Sequence, residues 1–100
     1  GGSGSSVHVG VCTIELRLPG NDSLKGKRRI VKSIITRVGQ QFNVSIAEVE
    51  SQDTWQRAVL GVSSVSSSAE YVHGQMERVV EWIETNRPDV EVLEYHIELL

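Results

Sequence analysis

SLKGKRRIVKSIITRV, residues Ser23–Val38, decides how the rest of the chain is read. Leu24, Val31, Ile34, Ile35 and Val38 recur at three- and four-residue spacings, the period of a helix with one apolar face. Ser23 stands where an N-cap hydroxyl would accept from a free amide of the first turn, and Gly39 is the expected stop, within a residue or two. The same segment carries Lys25, Lys27, Arg28, Arg29, Lys32 and Arg37, six of the ten Lys and Arg residues of the chain. An apolar stripe this wide needs a sheet to cover.

The flanking sequence supplies that sheet. Val7–Leu18 alternates, with Cys12, Ile14, Leu16 and Leu18 on one face and Thr13, Glu15 and Arg17 on the other, the period of a half-buried strand. Val7, Val9 and Val11 fall on the second face and give it an apolar end. Downstream, Phe42–Glu50 reads as strand two, with Phe42, Val44 and Ile46 on one side and Ala47 and Val49 on the other. A turn through Ser51–Thr54 leads to strand three, Gln56–Val65, with Ala58, Leu60 and Val62 inward and Arg57, Val59 and Gly61 outward. Ser67-Ser68-Ala69-Glu70 has the form of a capping box. It opens a second helix with the stripe Ala69, Val72, Met76, Val79, Val80 and Ile83, closed by Asn86 and Pro88. Val90–Leu99 is strand four. The order β-α-β-β-α-β predicts a ferredoxin-like α+β fold, one four-stranded antiparallel sheet with both helices on a single face.

Gly1–Ser6 contains only glycine and serine and is read as an appended tail, leaving one domain over residues 7–100. Hydrophobic residues make up 39% and charged residues 23%, ordinary for a globular domain, and no apolar run approaches the roughly 20 residues that cross a bilayer. With a single cysteine, Cys12, no internal disulfide forms, which fits a reducing, cytoplasmic setting. The net charge of −3 excludes a chain that coats polyanions with its whole surface, so the local concentration of cations matters more than the sum.

Three ordered motifs, Ser23-Leu24-Lys25-x-Lys27-Arg28, Asn43-Val44-Ser45-x-Ala47-Glu48-Val49 and Trp55-Gln56-Arg57-Ala58-x-Leu60-Gly61, resemble those of the YlxP-like family of small bacterial proteins of unknown function. The resemblance spans nearly all of residues 7–100. It implies a bacterial, cytoplasmic, ferredoxin-like domain, and it implies a link to RNA or the ribosome because members are often encoded beside translation and ribosome-maturation factors. It carries no catalytic or cofactor-binding residues. One departure from the family is Gly26, where an acidic residue is common and could complete a capping box with Ser23. Glycine there costs helix stability, about 1 kcal/mol relative to alanine, so this reading makes the first turn weak.

On a helical wheel Lys25, Arg28, Arg29 and Lys32 share an arc of about 100° beside the apolar stripe. With Lys27 they are the candidate nucleic-acid contacts, since closely spaced cations release counterions from a phosphate backbone. The plainer reading is a solvated face whose long side chains cover apolar neighbours. On the second helix Glu70, Glu77, Glu81 and Glu84 share a flank, so the domain is expected to be polarised, basic on one side and acidic on the other. A base-stacking sheet is not expected, because strand three has no aromatic residue. The open sheet face offers a second partner surface, for a homodimer or another protein, through Val9, Val11, Arg17, Arg57 and Val59. Trp55 reads as a packing anchor. His8, His73 and His96 lack metal spacing, Cys12 lies inside a strand, and Glu48, Glu50 and Asp53 fit a solvated turn. No catalytic residue, metal, cofactor or small-molecule substrate is therefore assigned.

Overall fold

The computed structural model describes residues 7–50 and 54–100. β1 (His8–Arg17), α1 (Leu24–Gln41), β2 (Ser45–Glu50), β3 (Arg57–Ser66), α2 (Ala69–Asn86) and β4 (Glu91–Leu99) follow one another along the chain. The strands form one antiparallel sheet in the order β2-β3-β1-β4, the ferredoxin-like arrangement that the element order predicts. The expected tail, Gly1–Ser6, and most of the expected turn, residues 51–53, lie outside the described residues.

β1 and β3 pair without interruption from His8↔Ser66 to Arg17↔Arg57. Both outer strands break register once, β2 at Val49 and β4 at Leu93, and such bulges twist an edge away from further pairing. Cys12, Ile14 and Leu16 of β1 and Ala58, Leu60 and Val62 of β3 form the floor of the core. Val31, Ile34 and Val38 of α1 and Val72, Met76, Val79, Val80 and Ile83 of α2 cover it. α2 lies over β1, β3 and β4, whereas α1 meets chiefly β2. At Gly10 the approach is close enough that a Cβ would overlap Val72 Cγ1, so the glycine sets the depth at which α2 seats. Burial pushes the Cys12 thiol up to about 11 and keeps it protonated and inert.

Three local expectations change. α1 runs through Gly39 to Gln41, with Phe42 as its extended C-cap, so β2 starts only at Ser45 and Phe42 and Val44 pack as loop residues beside the core. The cap of α2 is Ser68, whose hydroxyl accepts from Tyr71 N at 3.2 Å; Glu70 then lies too early in the turn to close a capping box. The first turn of α1 is tied down. Ser23 Oγ accepts from Gly26 N at 3.0 Å, and the buried Asn21 donates from Nδ2 to the carbonyls of Ser23 (2.7 Å) and Trp55 (2.6 Å). A Cβ at residue 26 would overlap Asn21 Oδ1, so Gly26 makes room for the side chain that joins this turn to the start of β3.

Candidate nucleic-acid interface

α1 divides its cations between two environments. Lys27 lies in line with Val31, Ile34 and Val38 at four-, seven- and eleven-residue spacings, and it is 1% exposed. Its Nζ lies 3.1 Å from Glu48 Oε2 on β2, an inward position next but one to Ile46. This overturns Lys27 as a nucleic-acid contact: its charge is satisfied inside the domain, holding α1 to the sheet edge. Glu48 correspondingly leaves the expected acidic turn. Glu50 is exposed, and Asp53 lies outside the described residues.

Lys25, Arg28, Arg29 and Lys32 are exposed, as is Arg37 in the last turns of α1. None of the five has a hydrogen bond or ion pair among the described residues. Arg29, Lys32, Ser33, Thr36 and Arg37 line an open groove of about 290 Å³. Its inner wall is joined to α2: Arg87, the C-cap of that helix, donates from Nη1 to Ser33 Oγ at 2.9 Å. Arg87 is itself fixed by Asp89, which accepts from Nε at 3.1 Å and from Nη2 at 2.8 Å. Ser33, Arg37 and Arg87 are not among the candidates read from the sequence. Arg37 was legible as the sixth cation of the segment, but nothing in the order of residues brings Arg87 beside Ser33.

No ion pair among the described residues crosses from α1 to the glutamates of α2; Glu77 faces His73 on its own helix at 3.6 Å. Ile30 and Trp82, at corresponding positions of the two helices, are both partly buried against the core.

The open sheet face holds the other candidates. Val9 and Val11 are half-buried there, while Val49 and Val65, exposed by 50% and 61%, extend the apolar end. Val49 lies over Gly61, and with Val11 and Ala47 these residues border a shallow depression of about 230 Å³. Arg57 is paired with Glu15 across β1 and β3, and Arg17 lies 3.4 Å from Glu91. Val59 is a correction: at 9% exposure it sits at the floor of a second depression, beside Glu15 and Glu50, and presents little surface to a partner. Trp55 is also a correction, since the residue is 51% exposed and its backbone carbonyl does the anchoring. His96 lies 2.8 Å from Glu94, and no group of three His, Cys, Asp or Glu side chains among the described residues is placed to hold a metal ion. No described helix is long and apolar enough to cross a membrane.

Two designed proteins share the architecture. De novo designed protein Foldit4 superposes with a TM-score of 0.54 at 16% identity, over 94% of this chain and 96% of that one. The designed ferredoxin-fold protein LFR1 1 gives 0.51 at 18% identity, over 93% and 82%. At such identities the likeness concerns the fold alone. The uncharacterized protein YlxP of Bacillus subtilis (strain 168) is 41% identical over 83 residues, which cover 83% of this chain and 89% of that protein. Residues 9–97 match the family model described as a protein of unknown function, DUF503. The chain belongs to this family, the DUF503 or YlxP-like proteins of unknown function.

Proposed function

We propose that this chain acts by binding rather than by catalysis, and that its partner is RNA or an RNA-containing particle such as a ribosomal subunit, met by the exposed face of α1. One observation carries the reading: Lys25, Arg28, Arg29, Lys32 and Arg37 are exposed on one helix with no partner among the described residues, in a chain of net charge −3. Four of them, Lys25, Arg28, Arg29 and Lys32, share an arc of about 100° and repel one another until an anion screens them. A phosphate backbone meets that need and gains entropy from the counterions it releases. With no aromatic residue on β3, the contact is to backbone and shape rather than to bases. The acidic residues of α2 repel RNA and so favour one orientation.

The test is co-sedimentation with ribosomal subunits over a salt series. Wild type should pellet with subunits at low salt and be released as salt rises. The variant Arg28→Ala/Arg29→Ala/Lys32→Ala should stay in the supernatant throughout. Equal pelleting of the two proteins at every salt concentration would remove the proposal.

A homodimer or protein partner on the open sheet face is the second reading, favoured by exposed Val49 and Val65 beside Val9 and Val11. Such a complex would survive both added salt and the triple substitution, and would be lost on Val49→Glu.

A further inference from the structure

We infer that one backbone phosphate of the bound RNA seats in the groove between Arg29, Lys32, Ser33, Thr36 and Arg37, with the Ser33 hydroxyl and the Arg37 guanidinium as its direct contacts; this rests on the RNA-binding function proposed for α1. The groove supplies three cations and two hydroxyls, with no carboxylate in its lining. Ser33 is the decisive group. A hydroxyl has one proton and two lone pairs. One lone pair of Ser33 Oγ accepts from Arg87 Nη1, and no acceptor among the described residues takes the proton. The O–H remains available to solvent or to a ligand in the basic groove that Ser33 lines. Asp89 accepts from Arg87 Nε and Nη2 and so orients the guanidinium whose Nη1 meets the serine, and that charged donor polarises the Ser33 O–H bond. Arg87 is a positioning residue here, since its Nε, Nη1 and Nη2 all donate within the domain.

Arg28 and Ser33 are about 140° apart around the helix axis, so they cannot contact the same phosphate. The flank and the groove share Arg29 and Lys32 and diverge at their outer members, Arg28 on one side of the helix and Arg37 on the other. From Lys25 to Arg37 the cations extend along about 18 Å of helix, a length suited to a chain of phosphates rather than to one isolated anion.

The experiment titrates the full isotope-labelled chain with a double-stranded RNA oligonucleotide at low salt, following backbone amides. Affinities of Ser33→Ala, Ser33→Thr, Arg37→Ala and Arg28→Ala are measured in parallel, with polyglutamate as the competitor. Amides of Ser33, Thr36 and Arg37 should shift most. Ser33→Ala should bind about tenfold more weakly, the loss of one hydrogen bond to a charged group, while Ser33→Thr, which keeps the hydroxyl, should restore most of the affinity. Alanine is the strongest helix former, so the weaker binding does not come from melting α1. Arg37→Ala should reduce the steepness of the logarithmic salt dependence by about 0.9. If RNA binds but the shifts are confined to Lys25–Arg29 and Ser33→Ala matches wild type, the groove assignment is wrong while the RNA reading stands. If wild type does not bind the RNA, or polyglutamate displaces it as well as RNA does, both fall.

Discussion

α1 and α2 are each eighteen residues long, each is capped by a serine, and each carries one polar residue into its buried stripe. The difference lies in what that residue meets. Gln75 of α2 accepts from the hydroxyl of Ser64 on β3 at 2.7 Å, a neutral bond beneath a helix that already covers three strands. Lys27 of α1 is held against Glu48, beneath a helix whose main contact is the short outer strand β2. α2 is anchored by apolar area, and its polar contact refines the fit. α1 has less sheet beneath it and relies on a charge pair, which is strong only while both members are present. The outer faces diverge in the same direction. α2 shows glutamates to solvent, and α1 shows cations with no partner among the described residues.

The largest effect should come from cutting the charge pair. Lys27→Ala leaves Glu48 without its ammonium and should cost about 3–5 kcal/mol in urea denaturation. Replacing both partners by apolar residues, Lys27→Met with Glu48→Leu, should recover most of that stability, because the desolvation cost of both charges disappears. If Lys27→Ala is as mild as a surface substitution, the contrast between the helices is false.

Cys12, on β1 in the core that both helices cover, sharpens the comparison through pH. Its native pKa is raised from 9.0 to about 11 by burial, so the neutral thiol stabilises the fold fully below pH 9.0. The unfolded chain releases that proton first, so stability should fall between pH 9.0 and about 11 by about 2–3 kcal/mol. Cys12→Val should lack this component, and identical pH curves for the two proteins would contradict it.

Gln75→Ala should cost about 1–3 kcal/mol, the penalty of leaving the Ser64 hydroxyl unpaired, and thus less than Lys27→Ala. At the small end, Ser23→Ala and Ser68→Ala should each cost about 1 kcal/mol. The two are expected to separate. Removing the Ser23 hydroxyl also loosens the turn that Asn21 joins to the start of β3, whereas Ser68 caps only its own helix. Equal destabilisation in thermal melts would mean that the Asn21 linkage contributes nothing beyond the cap.

Element order and inward faces were legible because period two and period 3.6 are directly written in Ile14-Glu15-Leu16 and in Val31-x-x-Ile34-x-x-x-Val38. Lys27 and Glu48 were misread, as a nucleic-acid contact and a turn residue, although Lys27 occupies the stripe position four residues before Val31 and Glu48 the inward phase set by Ile46. A charge at a core phase is a signal to look for its opposite on the neighbouring strand. Gly26 was readable only as a cost, since its purpose depends on Asn21, a contact within the turn that no periodicity encodes. The groove was hidden for a similar reason. Ser33 and Arg87 lie fifty-four positions apart, and only the packed helices bring them together.

The central claim is that the exposed cations of α1 are held for a phosphate backbone while Lys27 is held for the fold. The most direct test is the logarithmic salt dependence of RNA affinity for wild type and for Arg28→Ala/Arg29→Ala/Lys32→Ala, with stability measured alongside. Removal of these exposed charges should leave unfolding free energy within about 0.5 kcal/mol and flatten the salt dependence by about 0.9 for each phosphate the variant no longer neutralises. An unchanged salt dependence in a variant that is as stable as wild type would contradict the account.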